Sequence, residues 1–495
     1  MDTQQTSEHF KTRNNTPSVQ LHVSPKLALI DETVDIRLTG LPPFAAVTVD
    51  AIVALHGNVF HAYCHFFADH HGDVDVGDSA SHGGTYVGRK PMGLFTSMRP
   101  WPLKTCGARL ISFTVVKNLN FYINAWVGHR TCDELYQLHL DAGWKADWPY
   151  NDESQLQHQA MNVTKYHLAE AELKRTYWDR ANVDRVPIET NYKGYRIAGV
   201  LFMPKGAGPH PAIIDTFGGI GGCVEMRAAL YARHGYAAIA LAYYNYKSLP
   251  YKTEQQFPMT YFDAVIDWLL EQPRVKPGGV GMSGVSMGAA VSLLTTLRNP
   301  KVKATICING DKYMPTDPSI SGNPYATFNS KRDVLQFPAV GYRAVRNGRL
   351  SVPYNAQAVK LRRPLLTSKH DHPILFLTGE CEASMAIHEM VADILELMSR
   401  SGKRNAKRVL VPGQGHLIEP PYTPMAVESY TPVPVDPNFI GHDVRAHCVA
   451  AGIMLYWGGD PSRHHDGQVF AWRTMLAFFA RHLKGETLKA PSAKL

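Results

Sequence analysis

What the 495-residue sequence lacks narrows its class before any motif is read. No apolar run approaches the roughly 18–20 residues that cross a bilayer, so no membrane span is expected. The stretch from Met1 to Ser18 is polar, has no apolar signal core and is expected to be a disordered lead-in. Cysteine is scarce: Cys64, Cys106, Cys132, Cys223, Cys307, Cys381 and Cys448 are scattered without paired spacing. Their odd number, with no signal sequence expected, favours free thiols in a reducing compartment. There is no arginine-rich run, and the excess of 51 Lys plus Arg over 43 Asp plus Glu is spread along the chain. A nucleic-acid surface is therefore not expected, although a modest positive field suits a polyanionic small molecule. His61, His65, His70, His71 and His82 cluster in sequence, but their spacings fit no standard ligand set. They are expected to be surface or hydrogen-bonded histidines, with no metal and no cofactor.

What is present falls into two patterns. From Val19 to about Val127, short segments alternate apolar and polar residues: Val19–Val23, Val34–Leu38, Val47–Val53, Val59–Cys64, Leu110–Val116 and Phe121–Val127. Strand after strand without an intervening helical pattern predicts an immunoglobulin-like antiparallel β-sandwich over residues 19–145. Residues 146–184 read as a linker. From 185 the pattern changes, with a strand pair around the Tyr192-Lys193-Gly194 turn. Strands then alternate with helices, the signature of a mostly parallel sheet, through residue 485. The central strands are expected at Ala212–Ile214, Ala237–Ala242, Val280–Ser283, Ala304–Ile308, Ile374–Leu377 and Val409–Val411. The Pro-, Gly- and Tyr-rich segment 311–372 reads as a lid or substrate-facing insertion. Residues 486–495 form a tail.

The chemistry begins at Gly284-Val285-Ser286-Met287-Gly288, between a buried strand and a helix. Such a turn lifts the serine hydroxyl clear of the sheet, and the two glycines leave room for it. This is the nucleophile elbow of α/β-hydrolases. A serine hydroxyl needs a base, and in this fold the acid and then the histidine follow on loops after late strands. Ser286 is the predicted nucleophile, His416 in Gly413-Gln414-Gly415-His416 the base, and Glu382 in Glu380-Cys381-Glu382 the acid that orients it. Glu380 and Asp311 are alternative acids. The oxyanion hole is expected from the N–H of Met287 and from Phe217 and Gly218 in the loop Asp215-Thr216-Phe217-Gly218-Gly219-Ile220-Gly221-Gly222. That loop has four glycines in five residues but no G-x-G-x-x-G and no Lys-Ser/Thr ending, which argues against nucleotide hydrolysis.

Further segments carry a family resemblance. They are Gly83-Gly84, Pro91-Met92-Gly93-Leu94, Asp215-Thr216-Phe217-Gly218, Leu241-Ala242-Tyr243-Tyr244-Asn245-Tyr246, Ile308-Asn309-Gly310, Gly415-His416-Leu417-Ile418-Glu419-Pro420-Pro421 and Trp457-Gly458-Gly459. With them the chain resembles the type I acyl-CoA thioesterases and the bile acid-CoA:amino acid N-acyltransferases, from about Val19 to Leu483. The resemblance implies a β-sandwich joined to an α/β-hydrolase domain, an acyl-CoA substrate and a place in fatty acid metabolism. Members of this family carry an aspartate as triad acid in a Gly-x-Asp-Asp loop. Counting from Gly379 to His416 without a gap puts Glu382 at that position, with Cys381 beside it. A second departure is an apparent insertion over 422–451. The amino-acid-conjugating branch carries cysteine as nucleophile, so Ser286 favours hydrolysis through an acyl-serine. The rival readings are acyl transfer to glycine or taurine, another esterase, and a non-catalytic acyl-CoA-binding or scaffold protein.

The sequence ends in Ala493-Lys494-Leu495, one small residue away from the Ser-Lys-Leu address read by the peroxisomal import receptor. A peroxisomal matrix location is therefore expected, with the cytosol as alternative.

Overall fold

The computed structural model describes residues 18–55, 58–101, 108–142, 166–219, 221–252, 257–310, 345–346, 349–350, 371–385, 387–430 and 454–486. Residues 1–17 of the expected lead-in, the tail beyond residue 486, Asp311 and most of the 311–372 and 422–451 segments lie outside these residues. The chain divides into two compact units. The first takes described residues up to Ile111, Val116–Thr176 and Tyr422–Met425, and the second takes Ser112–Val115, Tyr177–Pro421 and Ala426 onward.

The first unit holds strands β1 (Gln20–Ser24), β2 (Leu27–Leu29), β3 (Asp35–Thr39), β4 (Ala46–Leu55), β5 (Asn58–Phe67), β6 (Val74–Asp75), β7 (Arg99–Trp101), β8 (Leu119–Val127) and β9 (His167–Thr176). They form a 3-stranded sheet, β1-β3-β6, and a 6-stranded sheet, β2-β9-β8-β4-β5-β7. The all-β character matches the alternating pattern, with β2 against β9 as a parallel exception. Three details differ from the sequence reading. Strand β9 lies inside the stretch read as a linker, where Ala171 and Leu173 pair across to Ile123 and Phe121 of β8. A helix, α1 (Cys132–Asp141), interrupts the strands and starts at a capping box between Thr131 and Glu134. That T-x-x-E signal was available in the sequence. Leu110–Val116 is not a strand. The Phe113 carbonyl accepts the Glu225 N–H and the Val115 N–H donates to the Glu225 carboxylate, so these two backbone groups are paired outside any sheet.

The second unit is built on β10 (Val183–Tyr192), β11 (Tyr195–Pro204), β12 (His210–Thr216), β13 (Ala237–Ala242), β14 (Val275–Val285) and β15 (Val302–Ile308). After two short strands, β16 (Val345–Arg346) and β17 (Arg349–Leu350), come β18 (Ile374–Gly379) and β19 (Ala406–Val411). The main sheet has 8 strands in the order β10-β11-β13-β12-β14-β15-β18-β19. β10, β11 and β13 pair antiparallel, and every pairing from β13 to β19 is parallel. Parallel strands need crossovers. These are supplied by α2 (Met226–Arg233), α3 (Thr260–Leu270), α4 (Met287–Arg298) and α5 (Ile387–Arg400). β13 (AAIALA) is buried at every residue, as expected of a strand covered on both faces. Strands β20 (Glu428–Tyr430) and β21 (Met454–Tyr456) join β16 and β17 in a small second sheet, and helix α6 (His464–Phe479) packs near the end of the chain.

Candidate active site

Ser286 sits between the last residue of β14 and the first of α4, with φ 55° and ψ −124°. A non-glycine residue at positive φ is costly and persists only where its surroundings hold it. Here the Ser286 N–H donates to the Ile308 carbonyl at 2.9 Å, and its carbonyl accepts the Ala289 N–H at 3.0 Å. The flanking glycines are required by contact. A Cβ at Gly284 would lie 2.2 Å from the Gly288 carbonyl oxygen, and one at Gly288 would lie 2.4 Å from that of Thr216. Ser286 and Met287 are partly exposed, while Gly281–Val285 and Gly288–Val291 are buried. The strand ladder thus presents one hydroxyl.

Met287 opens α4, where the first N–H groups have no partner within the helix. The loop after β12 meets the serine from the other side, since a Cβ on Gly218 would lie 3.1 Å from Ser286 Cβ and 3.6 Å from its Oγ. This loop is held from below. The Tyr243 hydroxyl donates to the Phe217 carbonyl and reaches that of Gly218 at 3.4 Å. Arg227, on α2, donates from Nε to Asp215 Oδ1 at 3.0 Å and from Nη2 to the Thr216 carbonyl at 3.3 Å. Its guanidinium lies 5.6 Å from the centre of the Phe217 ring. Burial pushes the Asp215 carboxyl above its ordinary range, against the pull of Arg227. A small cavity lined by Phe217, Arg227, Val285, Leu417 and Ile418 adjoins this loop.

His416 and Glu382 come together on the loops after β19 and β18. His416 Nδ1 and Glu382 Oε2 are 2.7 Å apart, and both side chains are buried. The other carboxylate oxygen accepts the N–H groups of Ser384 at 2.7 Å and Met385 at 3.1 Å. The imidazole stacks on Trp457 at 5.4 Å between centroids and 16° between planes, and the His416 N–H donates to the Trp457 carbonyl at 2.8 Å. The indole N–H of Trp457 is itself fixed on Ser429 Oγ at 2.8 Å. Such close packing of three chain segments needs Gly415, where a Cβ would lie 2.4 Å from the Trp457 carbonyl oxygen.

Glu380 points elsewhere, accepting the Gly413 N–H at 3.0 Å and pairing with Arg463 at 2.8 Å. Burial, reinforced by Glu380, keeps the Cys381 thiol above its ordinary pKa, so it offers no competing thiolate. Sequence reasoning gave no supporting role to Tyr243, Arg227 or Trp457, because each acts from a different element; Tyr243 and Trp457 stood only within segments of the family resemblance.

In the first unit, His61 and His139 direct Nε2 at Asp50 Oδ2, at 3.0 and 2.7 Å, while Trp126 Nε1 donates to Oδ1 at 3.1 Å. The three are buried and their ligand atoms lie within 4.8 Å of one another. Burial raises the Asp50 carboxyl, but His139 and His61 outweigh it and hold the group below the usual carboxylate range. Burial lowers His61. A carboxylate met by three N–H groups is a satisfied network. His65 is also satisfied, with Nε2 bonded to the Arg130 carbonyl at 2.8 Å. The described cysteines, Cys64, Cys132, Cys223, Cys307 and Cys381, are free thiols.

A strand–serine–helix elbow on a mostly parallel sheet, with a histidine–carboxylate pair on the loops after its last two strands, defines an α/β-hydrolase fold. Comparison with known proteins narrows this. The family described as "Acyl-CoA thioester hydrolase/BAAT N-terminal region" matches residues 31–190, and "BAAT / Acyl-CoA thioester hydrolase C terminal" matches residues 257–485. "X-Pro dipeptidyl-peptidase (S15 family)" matches residues 149–314. The bile acid-CoA:amino acid N-acyltransferase of Homo sapiens is 31% identical over 94% of this chain and 98% of its own length. Acyl-coenzyme A amino acid N-acyltransferase 1 of Mus musculus is also 31% identical over the same shares. The peroxisomal succinyl-coenzyme A thioesterase of Mus musculus is 29% identical over 94% of this chain and 96% of its own length. The chain belongs to the acyl-CoA thioesterase and N-acyltransferase family.

Proposed function

We propose that this protein hydrolyses acyl-CoA thioesters through an acyl-serine intermediate. The observation that carries the reading is the buried 2.7 Å contact of Glu382 with His416 Nδ1, which leaves Nε2 as the nitrogen able to accept a proton. In the proposed reaction His416 Nε2 takes the Ser286 hydroxyl proton as Oγ attacks the thioester carbonyl. Glu382 orients the ring and stabilises its charged form. The N–H groups of Met287 and of the Phe217–Gly218 loop face the developing oxyanion. The C–S bond breaks, His416 returns the proton to the departing CoA thiolate, and the ester remains on Ser286. Water then attacks, with His416 taking its proton and returning one to Oγ, which frees the carboxylic acid.

A second reading, transfer of the acyl group to an amino acid, is favoured by one observation. Relatives named as N-acyltransferases are 31–32% identical, whereas those named as thioesterases are 29–30% identical. Ser286 favours water as acceptor, because the conjugating branch carries cysteine there. Purified protein incubated with acyl-CoA, with and without glycine or taurine, separates the readings by mass spectrometry. Free acid as dominant product is expected, and amide as dominant product overturns it. Ser286→Ala is expected to abolish CoA release, and undiminished release would remove the serine mechanism.

The terminal Ala493-Lys494-Leu495, with a relative named as peroxisomal, supports a peroxisomal location. Import of the tagged protein in cells should fail when Leu495 is deleted, and unchanged import would exclude this address.

A further inference from the structure

Asn309 follows β15 directly, beside the position where the sequence offered Asp311 as an alternative acid. It is fully buried, and its side chain is used on both ends. Nδ2 donates to the carbonyls of Gly415 at 3.0 Å and His416 at 2.7 Å, while Oδ1 accepts the Gly379 N–H at 2.9 Å. The Asn309 N–H donates to the Leu377 carbonyl at 2.9 Å. Only one orientation of the amide works, because the flipped one would set Oδ1 against two carbonyl oxygens and Nδ2 against an N–H. The backbone sits at φ 43°, a region asparagine enters more readily than most residues. Its neighbour Ile308 accepts the Ser286 N–H at 2.9 Å. Two successive residues therefore touch the segments that carry the nucleophile, the base and the acid.

We propose that Asn309 is a positioning residue for the Glu382–His416 pair. Gly379 lies three residues before Glu382, so one carboxamide joins the root of the acid loop to the backbone of the histidine. The two loops also meet through the paired ends of β18 and β19, the Cys381 N–H on the Gln414 carbonyl at 2.8 Å and the Gly413 N–H on Glu380 at 3.0 Å, and Asn309 adds bonds to the backbone of His416 itself. Asn309 acts through His416 and not on the acyl group. This inference rests on the proposed serine hydrolase reading.

The test uses Asn309→Asp and Asn309→Gly in the full chain. Aspartate keeps the shape and the acceptor but loses both donors, and it sets a carboxylate against two carbonyls. Glycine removes the side chain while tolerating positive φ. Turnover of acyl-CoA is measured per Ser286 titrated to end point with a fluorophosphonate. The loss of two buried hydrogen bonds in Asn309→Asp, and of three in Asn309→Gly, predicts a fall in kcat on the order of 10–100-fold for each variant. KM should stay within about threefold, since acyl-CoA does not bind through Asn309. A merely structural role would lower the titratable fraction and leave kcat per site unchanged. The proposal is overturned if kcat per site stays within about threefold of wild type in both variants. It is also overturned if both variants fail to fold, because Asn309 would then hold the sheet and not the site. If wild type turns over no acyl-CoA, or Ser286→Ala remains active, the hydrolase reading has failed instead.

Discussion

Removing the Glu382 carboxylate charge while keeping its shape tests the site at its least expected residue. In Glu382→Gln the oxygen that accepts the Ser384 and Met385 N–H groups is retained, at 2.7 and 3.1 Å in the wild type. The amide NH2 is thereby turned toward His416 Nδ1, which now faces a donor across 2.7 Å. A hydrogen bond to a charged group contributes about 1.5–3 kcal/mol, so its loss alone slows catalysis roughly 10–100-fold. The misplaced donor also selects the imidazole tautomer that carries its proton on Nε2, where it cannot accept one from Ser286. In another triad that fault costs about 10⁴ in kcat. The expected loss in Glu382→Gln therefore lies between about 10² and 10⁴, with KM little changed. Glu382→Asp shortens the side chain by about 1.5 Å. It cannot reach both Nδ1 and the two backbone donors without moving the loop, so a loss of at least about tenfold is expected. CoA release followed by a thiol reagent gives the rates, with Glu380→Gln as control. The reasoning fails if Glu382→Gln stays within about tenfold of wild type, or if Glu380→Gln loses as much.

Two further outcomes follow from groups that support each unit. Tyr243→Phe frees the Phe217 and Gly218 carbonyls from their hydroxyl donor, and a loss of about 1 kcal/mol should lower kcat roughly fivefold with KM unchanged. An unchanged kcat would detach Tyr243 from the oxyanion loop. Burial, against the pull of Asp50, holds His61 below its ordinary value of 6.5, so as pH falls through 6.5 the unfolded chain takes up a proton before folded His61 does. Stability of the first unit should then fall with decreasing pH from about 6.5, with a slope of at most about 1.4 kcal/mol per pH unit. Hydrogen exchange of β4 measures it, and a slope unaltered in His61→Gln would refute the assignment.

The parallel sheet was legible because its central strands carry short apolar cores separated by helical patterns, and β13 begins and ends where its composition does. The first unit was less so. β9 reads HLAEAELKRT, and its charged residues mask an alternation that only pairing with β8 makes use of. Leu110–Val116 shows the reverse error: it has strand composition, but its backbone groups bond to Glu225. Periodicity records which side chains can be buried, and cannot say which backbone partner is at hand.

The site shows the same division at finer scale. Ser286 was legible because its constraint is local: a sharp turn demands small residues on either side, and Gly284 and Gly288 each lie two positions from the serine. The choice between Glu380 and Glu382 was not, because it depends on the path of the loop between β18 and α5. Glu380 is drawn off by Arg463 and the Gly413 N–H, both distant in sequence. Glu382 is turned inward by the N–H groups of Ser384 and Met385, which grip one oxygen and leave the other to His416. That grip also explains how a glutamate can stand where the family resemblance implies an aspartate. The longer side chain is folded back onto its own loop, so its extra methylene does not carry the carboxylate past the imidazole. The length of the acid and the conformation of its loop therefore form one unit, and an aspartate placed in this loop would need a different backbone after residue 382 to orient the same histidine.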